Sequence, residues 1–175
     1  MTFSRNRCSF IRMGLWLCAL LSGVASAHAQ PQLAPLALKG DAFLLSANMA
    51  DGARFDMTQL RGKVAVVFYW TTGCAVCRDS LPELRANTVG WRNKPFSLVA
   101  VNVDRQAEDW LAYESVLGKM QSPMSGYFSV RPIEISASLK RLPLTLVVDS
   151  KGKVIQRIEG RVAPEVWDTV ADLIN

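Results

Sequence analysis

Val64 to Trp70 reads Val-Ala-Val-Val-Phe-Tyr-Trp, seven residues without a charged or amide side chain. Strand side chains alternate between two faces, so an unbroken apolar run of this length must be covered on both of them. Its β-branched and aromatic content favours a strand over a piece of helix. Phe96 to Val103 (Phe-Ser-Leu-Val-Ala-Val-Asn-Val) is a second run of the same kind. Between and after them come helical patterns. Asp79 to Val89 carries Leu81, Leu84 and Thr88 at helical spacing with Pro82 interrupting, which predicts a kinked helix. Ala107 to Leu117 carries Trp110, Leu111 and Glu114 at the same spacing. Strand and helix therefore alternate, as in an α/β domain.

The flanks are more punctuated. Phe43 to Leu45 is expected as a short strand, Asp51-Gly52 as a tight turn, and Thr58 to Leu60 as a brief helical turn ending at Gly62. Gly118 to Pro132 reads as a connection with an extended piece at Tyr127 to Val130, and Ile133 to Arg141 as a short helix. Leu144 to Asp149 and Lys153 to Glu159 flank Asp149-Ser150-Lys151-Gly152, a hairpin signal. Pro164 to Ile174 is an amphipathic helix with Val166, Trp167, Val170 and Leu173 on its apolar side.

The N-terminus belongs to a different class of segment. Arg5, Arg7 and Arg12 precede an uncharged stretch from Met13 to Ala25, followed by the small-residue patterns Ala25-Ser26-Ala27 and Ala27-His28-Ala29. Residues 1–29 are expected to be a secretory signal peptide cut at the second of these, with an uncleaved anchor as the alternative. Gln30 to Pro35 is read as a tether and residues 36–175 as one domain, exported to the periplasm or another extracytoplasmic space. Setting the leader apart lowers the net charge from +5 to +2, which gives no reason to invoke nucleic acid. It also takes away His28, the chain's one histidine, and leaves Cys74 and Cys77 of four cysteines. A histidine-free domain has no Ser-His-Asp triad and no Cys-His protease dyad.

Those two cysteines form Cys74-Ala75-Val76-Cys77, at the junction between the first apolar run and the first helical pattern. A Cys-x-x-Cys is a redox dithiol, half of a zinc site, or a structural disulfide. Structural zinc takes four Cys or His ligands, and two are on hand, so a second subunit would be needed. A disulfide over so short a loop constrains the unfolded chain little. A thiol at a helix N-terminus, by contrast, meets free N–H groups and the helix dipole, which stabilise a thiolate. Thiol–disulfide exchange is the favoured chemistry, with no metal and no cofactor. Trp70 lies close enough along the chain to line the rim of the dithiol.

Val66-Val67-Phe68-Tyr69-Trp70-Thr71-Thr72-Gly73-Cys74-Ala75-Val76-Cys77-Arg78 with Leu81-Pro82-Glu83-Leu84 resembles the active-site segment of thioredoxin-like proteins, and within them the exported TlpA/ResA-type thiol–disulfide oxidoreductases. The approach Leu60-Arg61-Gly62-Lys63 and the block Leu142 to Val154 extend the resemblance over most of residues 36–175. It implies a thioredoxin-like α/β fold: a central mixed β-sheet with helices on both faces, preceded by a short N-terminal β-hairpin extension. It also implies that Pro143 is cis and lies opposite the dithiol, and that the Leu142 backbone pairs with an extended substrate segment. The sequence departs from the pattern at Gly73, where the family usually has Trp, and at Val76, where it often has Pro. Phe68 stands in the place of a buried acid or amide, and Ser80 in that of a Glu found in some cytochrome c maturation members.

On this basis Cys74 is the attacking thiolate and Cys77 the resolving thiol. The expected partners are disulfide-containing client proteins and, as electron donor, a membrane thiol–disulfide transporter; the chain is read as monomeric. Direction depends on reduction potential, which spans about −270 to −120 mV among related dithiol proteins. Two other classes are open. Thr71-x-x-Cys74 matches part of a peroxidase site, although Val67 replaces the expected proline, and a pair of thiolates also suits a copper carrier.

Overall fold

The computed structural model describes residues 37–135 and 139–175. The signal-peptide and tether readings fall on residues outside that range. Among the described residues no helix is long and apolar enough to cross a membrane.

Seven strands form one mixed sheet: β1 (Ser46–Met49), β2 (Arg54–Asp56), β3 (Val64–Trp70), β4 (Phe96–Asn102), β5 (Tyr127–Pro132), β6 (Leu144–Val148) and β7 (Val154–Glu159). They lie in the order β2-β1-β5-β4-β3-β6-β7. β3, β4 and β5 run parallel, while β6 and β7 are antiparallel at one side and β1 and β2 at the other. Three helices follow the strand pattern: α1 (Ala75–Gly90), α2 (Ala107–Met120) and α3 (Pro164–Ile174).

All seven residues of β3 are buried, as the composition of that run requires. Val64, Val66, Phe68 and Trp70 point into a core shared with Cys77, Leu81 and Leu84 of α1, Trp110 of α2, and Val166 and Val170 of α3. Ala65, Val67 and Tyr69 point to the other face, against Phe43, Phe55, Met57 and Leu60. Among the described residues, helical cover on this second face is the 3₁₀ turn Met57–Leu60, capped by the Asp56 carboxylate. Helices therefore flank both faces, but very unequally.

Several local expectations shift. Phe43 to Leu45 is not a strand. Gly40 N–H and Phe43 N–H donate to Val154 and Gly152 beside β7, whereas β1 pairs with β5 on the far side of the sheet. The segment between them crosses the second face and buries Phe43 against it. The described parts of 133–141 contain no helical turn: Ile133 N–H donates to Ser46 O, which holds it as an extension of β5, and Leu139 packs on the second core. On α3, Leu173 is exposed and Ile174 takes the buried place. The turn after β6 forms as its sequence suggests, with Asp149 Oδ1 accepting from Lys151 N–H and Lys153 N–H at 2.9 Å. Gly152 supplies the positive φ of 82° that the turn requires.

Candidate active site

The parallel strands end together at one edge of the sheet, and β3 delivers its chain directly into α1. Cys74 is the N-cap of α1, with extended backbone (φ −87°, ψ 105°). Its Sγ accepts from Cys77 N–H at 3.1 Å, one of the helix's first, otherwise unused donors. No acidic residue occupies the first turn, so nothing competes with a cysteine thiolate for the positive end of the helix. The two cysteines are joined as a disulfide, with Cα atoms 5.2 Å apart. They differ in access: Cys74 is half-buried and Cys77 is fully buried. An incoming thiolate or disulfide therefore meets Cys74 first.

The backbone before the dithiol is held from two sides. Asp104, just beyond β4, accepts from Thr72 N–H at 3.0 Å through Oδ1 and from the Thr72 hydroxyl at 3.1 Å. Its other oxygen accepts from Asn102 Nδ2 at 2.7 Å. Asn102 Oδ1 in turn accepts from Asp104 N–H and from Arg131 Nη1, and Arg131 Nη2 donates to Asp104 O at 2.6 Å. From the α1 side the Arg78 guanidinium donates to Thr72 O. Asp104, only 6 % exposed, thus holds Thr72, two residues before Cys74, through a network that joins the ends of β3, β4 and β5. Thr72 and Arg78 belong to the Cys-x-x-Cys segment quoted from the sequence, whereas Asn102, Asp104 and Arg131 were not singled out there. The one local signal was the Asn102 and Asp104 pair at the polar end of an apolar strand.

The other singled-out residues fall as follows. The Leu142–Pro143 peptide bond is cis. Pro143 is buried and its carbonyl accepts from Gly160 N–H at 2.8 Å, while half-buried Leu142 packs against both cores, including the one containing the cysteines. Trp70 does not line the rim. It is fully buried, belongs to the same core as Cys77, and meets Tyr113 edge-on at 4.9 Å, so it offers no surface beside the dithiol. Because β3 is covered on both faces, its last residue is still inside. Phe68 is wholly core, and Ser80 is spent on a bond to Val76 O at 2.8 Å. Neither offers a proton relay. Glu83 is exposed and accepts from Trp167 Nε1 at 3.0 Å, which ties α1 to α3. Among the described residues no cluster of His, Cys, Asp and Glu could hold a metal ion.

Comparison with known proteins agrees with this geometry. The family model described as Redoxin matches residues 35–173. The thiol-disulfide oxidoreductase ResA of Bacillus subtilis is 22% identical over 126 residues, covering 71% of this chain and 69% of that protein. The thiol:disulfide interchange protein HelX of Rhodobacter capsulatus is 29% identical over 120 residues, covering 65% of this chain and 62% of its own length. The chain thus spans about two thirds of each. Among solved structures, a thioredoxin-family thiol:disulfide interchange protein from Chlorobium tepidum superposes with a TM-score of 0.63 at 22% identity, covering 79% of this chain and 99% of that one. The thioredoxin domain of a thiol-disulfide oxidoreductase from Bacteroides vulgatus gives 0.60 at 20%, with the same coverage. The shared fold is the thioredoxin-like one.

Proposed function

We propose, since this chain belongs to the Redoxin family, that it is a thiol–disulfide oxidoreductase acting on disulfide-containing client proteins through Cys74 and Cys77. The carrying observation is the asymmetric pair at the start of α1, one sulfur reachable and the other buried. In the reduced protein the Cys74 thiolate attacks a client disulfide. A mixed disulfide forms and one client sulfur leaves as a thiolate. The Cys77 thiol then loses its proton and attacks Cys74 Sγ, releasing the second client thiolate. The client gains two electrons, its two thiolates taking up the Cys77 proton and one proton from water, and the protein is left with the Cys74–Cys77 bond seen in the structure. The backbone at Leu142, before cis Pro143, is the proposed pairing edge for an extended client segment.

In the cell the proposed direction is reduction, in an extracytoplasmic compartment reached through the N-terminal leader, with cytochrome c maturation as one setting. A membrane thiol–disulfide transporter is the proposed donor, because an exported reductant is out of reach of soluble cytosolic reductases, and the protein is proposed to act as a monomer. The experiment is reduction of a model peptide disulfide by pre-reduced protein. Cys74→Ser is expected to reduce activity to background, and Cys77→Ser to accumulate a mixed disulfide with the peptide. Activity retained by Cys74→Ser, with wild type active alongside, removes the assignment.

A further inference from the structure

Away from the dithiol, α1, α2, β5 and the end of β1 with the turn after it line a cleft of about 450 Å³, with Met49, Leu117, Pro123 and Met124 among its apolar walls and Asp51, which accepts from Ala53 N–H, at the turn. Neither cysteine lines it. Arg85 does, although it is only 8 % exposed. Its guanidinium donates to Gln121 Oε1 at 3.1 Å and to Tyr127 Oη at 2.8 Å, and lies 4.7 Å over the Tyr127 ring. All of these partners are neutral. A guanidinium carries five N–H donors, so three are left after these two bonds. Keeping such a charge out of water costs several kcal/mol unless a counter-charge answers it.

Glu114 of α2 lines the same cleft. One of its oxygens accepts from Ser129 Oγ at 2.7 Å, and that hydroxyl also accepts from Trp110 Nε1 at 3.0 Å. The second oxygen has no such partner among the described residues. Arg157–Glu159 is the ion pair found among those residues, so Arg85 and Glu114 share a cleft without closing on each other. Both are felt by Tyr127, whose phenol is pushed up first by burial, drawn down by the Arg85 guanidinium and raised again by the Glu114 carboxylate.

From a buried guanidinium and a carboxylate that line one partly apolar cleft without pairing with each other, we propose that the site binds a free α-amino acid with an apolar side chain. The ligand carboxylate takes the remaining Arg85 donors, its ammonium takes the free Glu114 oxygen, and its side chain lies against Leu117, Met49 and Met124. The volume falls within the roughly 300–1,000 Å³ of small-molecule sites. A tie between α1 and β5 alone would be served by an amide, without a buried charge.

The test is calorimetric titration of the purified protein with L-leucine, alongside 4-methylpentanoate, which lacks the ammonium, and 3-methylbutylamine, which lacks the carboxylate. L-leucine is expected to bind saturably and to raise the thermal midpoint, as any ligand of the native state alone must. Each analogue is expected to bind at least about tenfold more weakly, the worth of one charge-assisted bond. Arg85→Gln and Glu114→Gln are expected to lose affinity for L-leucine by a similar factor. Glu114 is half-buried and on a helix surface, so its variant keeps the test decisive should the Arg85 variant fail to fold. Absence of saturable binding to wild type, or equal affinity for L-leucine and either analogue, overturns the proposal. Activity of the dithiol is read separately, by peptide reduction.

Discussion

Asp104 holds the backbone just ahead of Cys74. Its two oxygens answer Thr72 N–H, the Thr72 hydroxyl and the Asn102 amide. Asp104→Asn keeps the shape but turns one acceptor into a donor, so one of these groups is left buried without a partner. A loss of about 2 kcal/mol in urea denaturation is expected, the worth of a bond to a charged acceptor. Reduced Asp104→Asn is also expected to alkylate at Cys74 at a rate different from wild type, because Thr72 is two residues from that cysteine. Unchanged stability and unchanged alkylation would show that the carboxylate does not position the loop. The chain's three tyrosines give a second prediction. Burial raises the phenols of Tyr69, Tyr113 and Tyr127 above the ordinary value near 10. A raised pKa contributes stability in full below the unfolded value, and that contribution is lost as pH climbs above it. Tyrosinate absorbance should therefore rise together with loss of circular dichroism above about pH 10. Tyrosinate forming in all three while the fold stays intact would contradict their burial.

The helices are set by faces. α3 buries Val166, Val170 and Ile174, at the spacing of a single helical stripe, and leaves Leu173 41 % exposed. Val170→Asp is expected to cost at least about 3 kcal/mol, since it removes a packed side chain and buries an unpaired charge. Leu173→Asp should fall within about 0.5 kcal/mol of wild type. Equal effects in thermal melts would refute this orientation of the helix. In α1, Pro82 lacks the N–H that would reach back one turn, yet the helix continues through it to Gly90. Burial of Leu81, Leu84 and Thr88 on one side of the proline holds the two halves against the sheet. The pattern of three residues was legible beforehand because it repeats locally. The crossing path of Phe43 to Leu45 was not, since apolar residues of that length suit a strand or a segment laid across a face equally well.

For the whole molecule, redox state and stability are two views of one quantity. Closing a loop as short as Cys74 to Cys77 restricts the unfolded chain by only about 2 kcal/mol, so a larger difference between the oxidised and reduced proteins comes from the fold. If the protein works as a reductant, the fold favours the disulfide, and the oxidised form should unfold at higher urea than the reduced one. Each 30 mV of potential corresponds to about 1.4 kcal/mol of that difference. A reduced form more stable than the oxidised one would reverse the proposed direction. The same scale separates what was readable in the residues from what was not. By itself the sequence determined the doubly buried β3, the dithiol at the head of a helix, the turn at Asp149 to Gly152 and the bounds of α3, because each is written in a local period or a local hydrogen bond. Only the tertiary structure decided that Trp70 is wholly buried in the core that contains Cys77, that Asp104 grips Thr72 across 32 residues, and that Arg85 meets Tyr127 across 42. Those contacts exist because β3, β4 and β5 lie side by side and end together, an ordering that no repeat within a segment encodes.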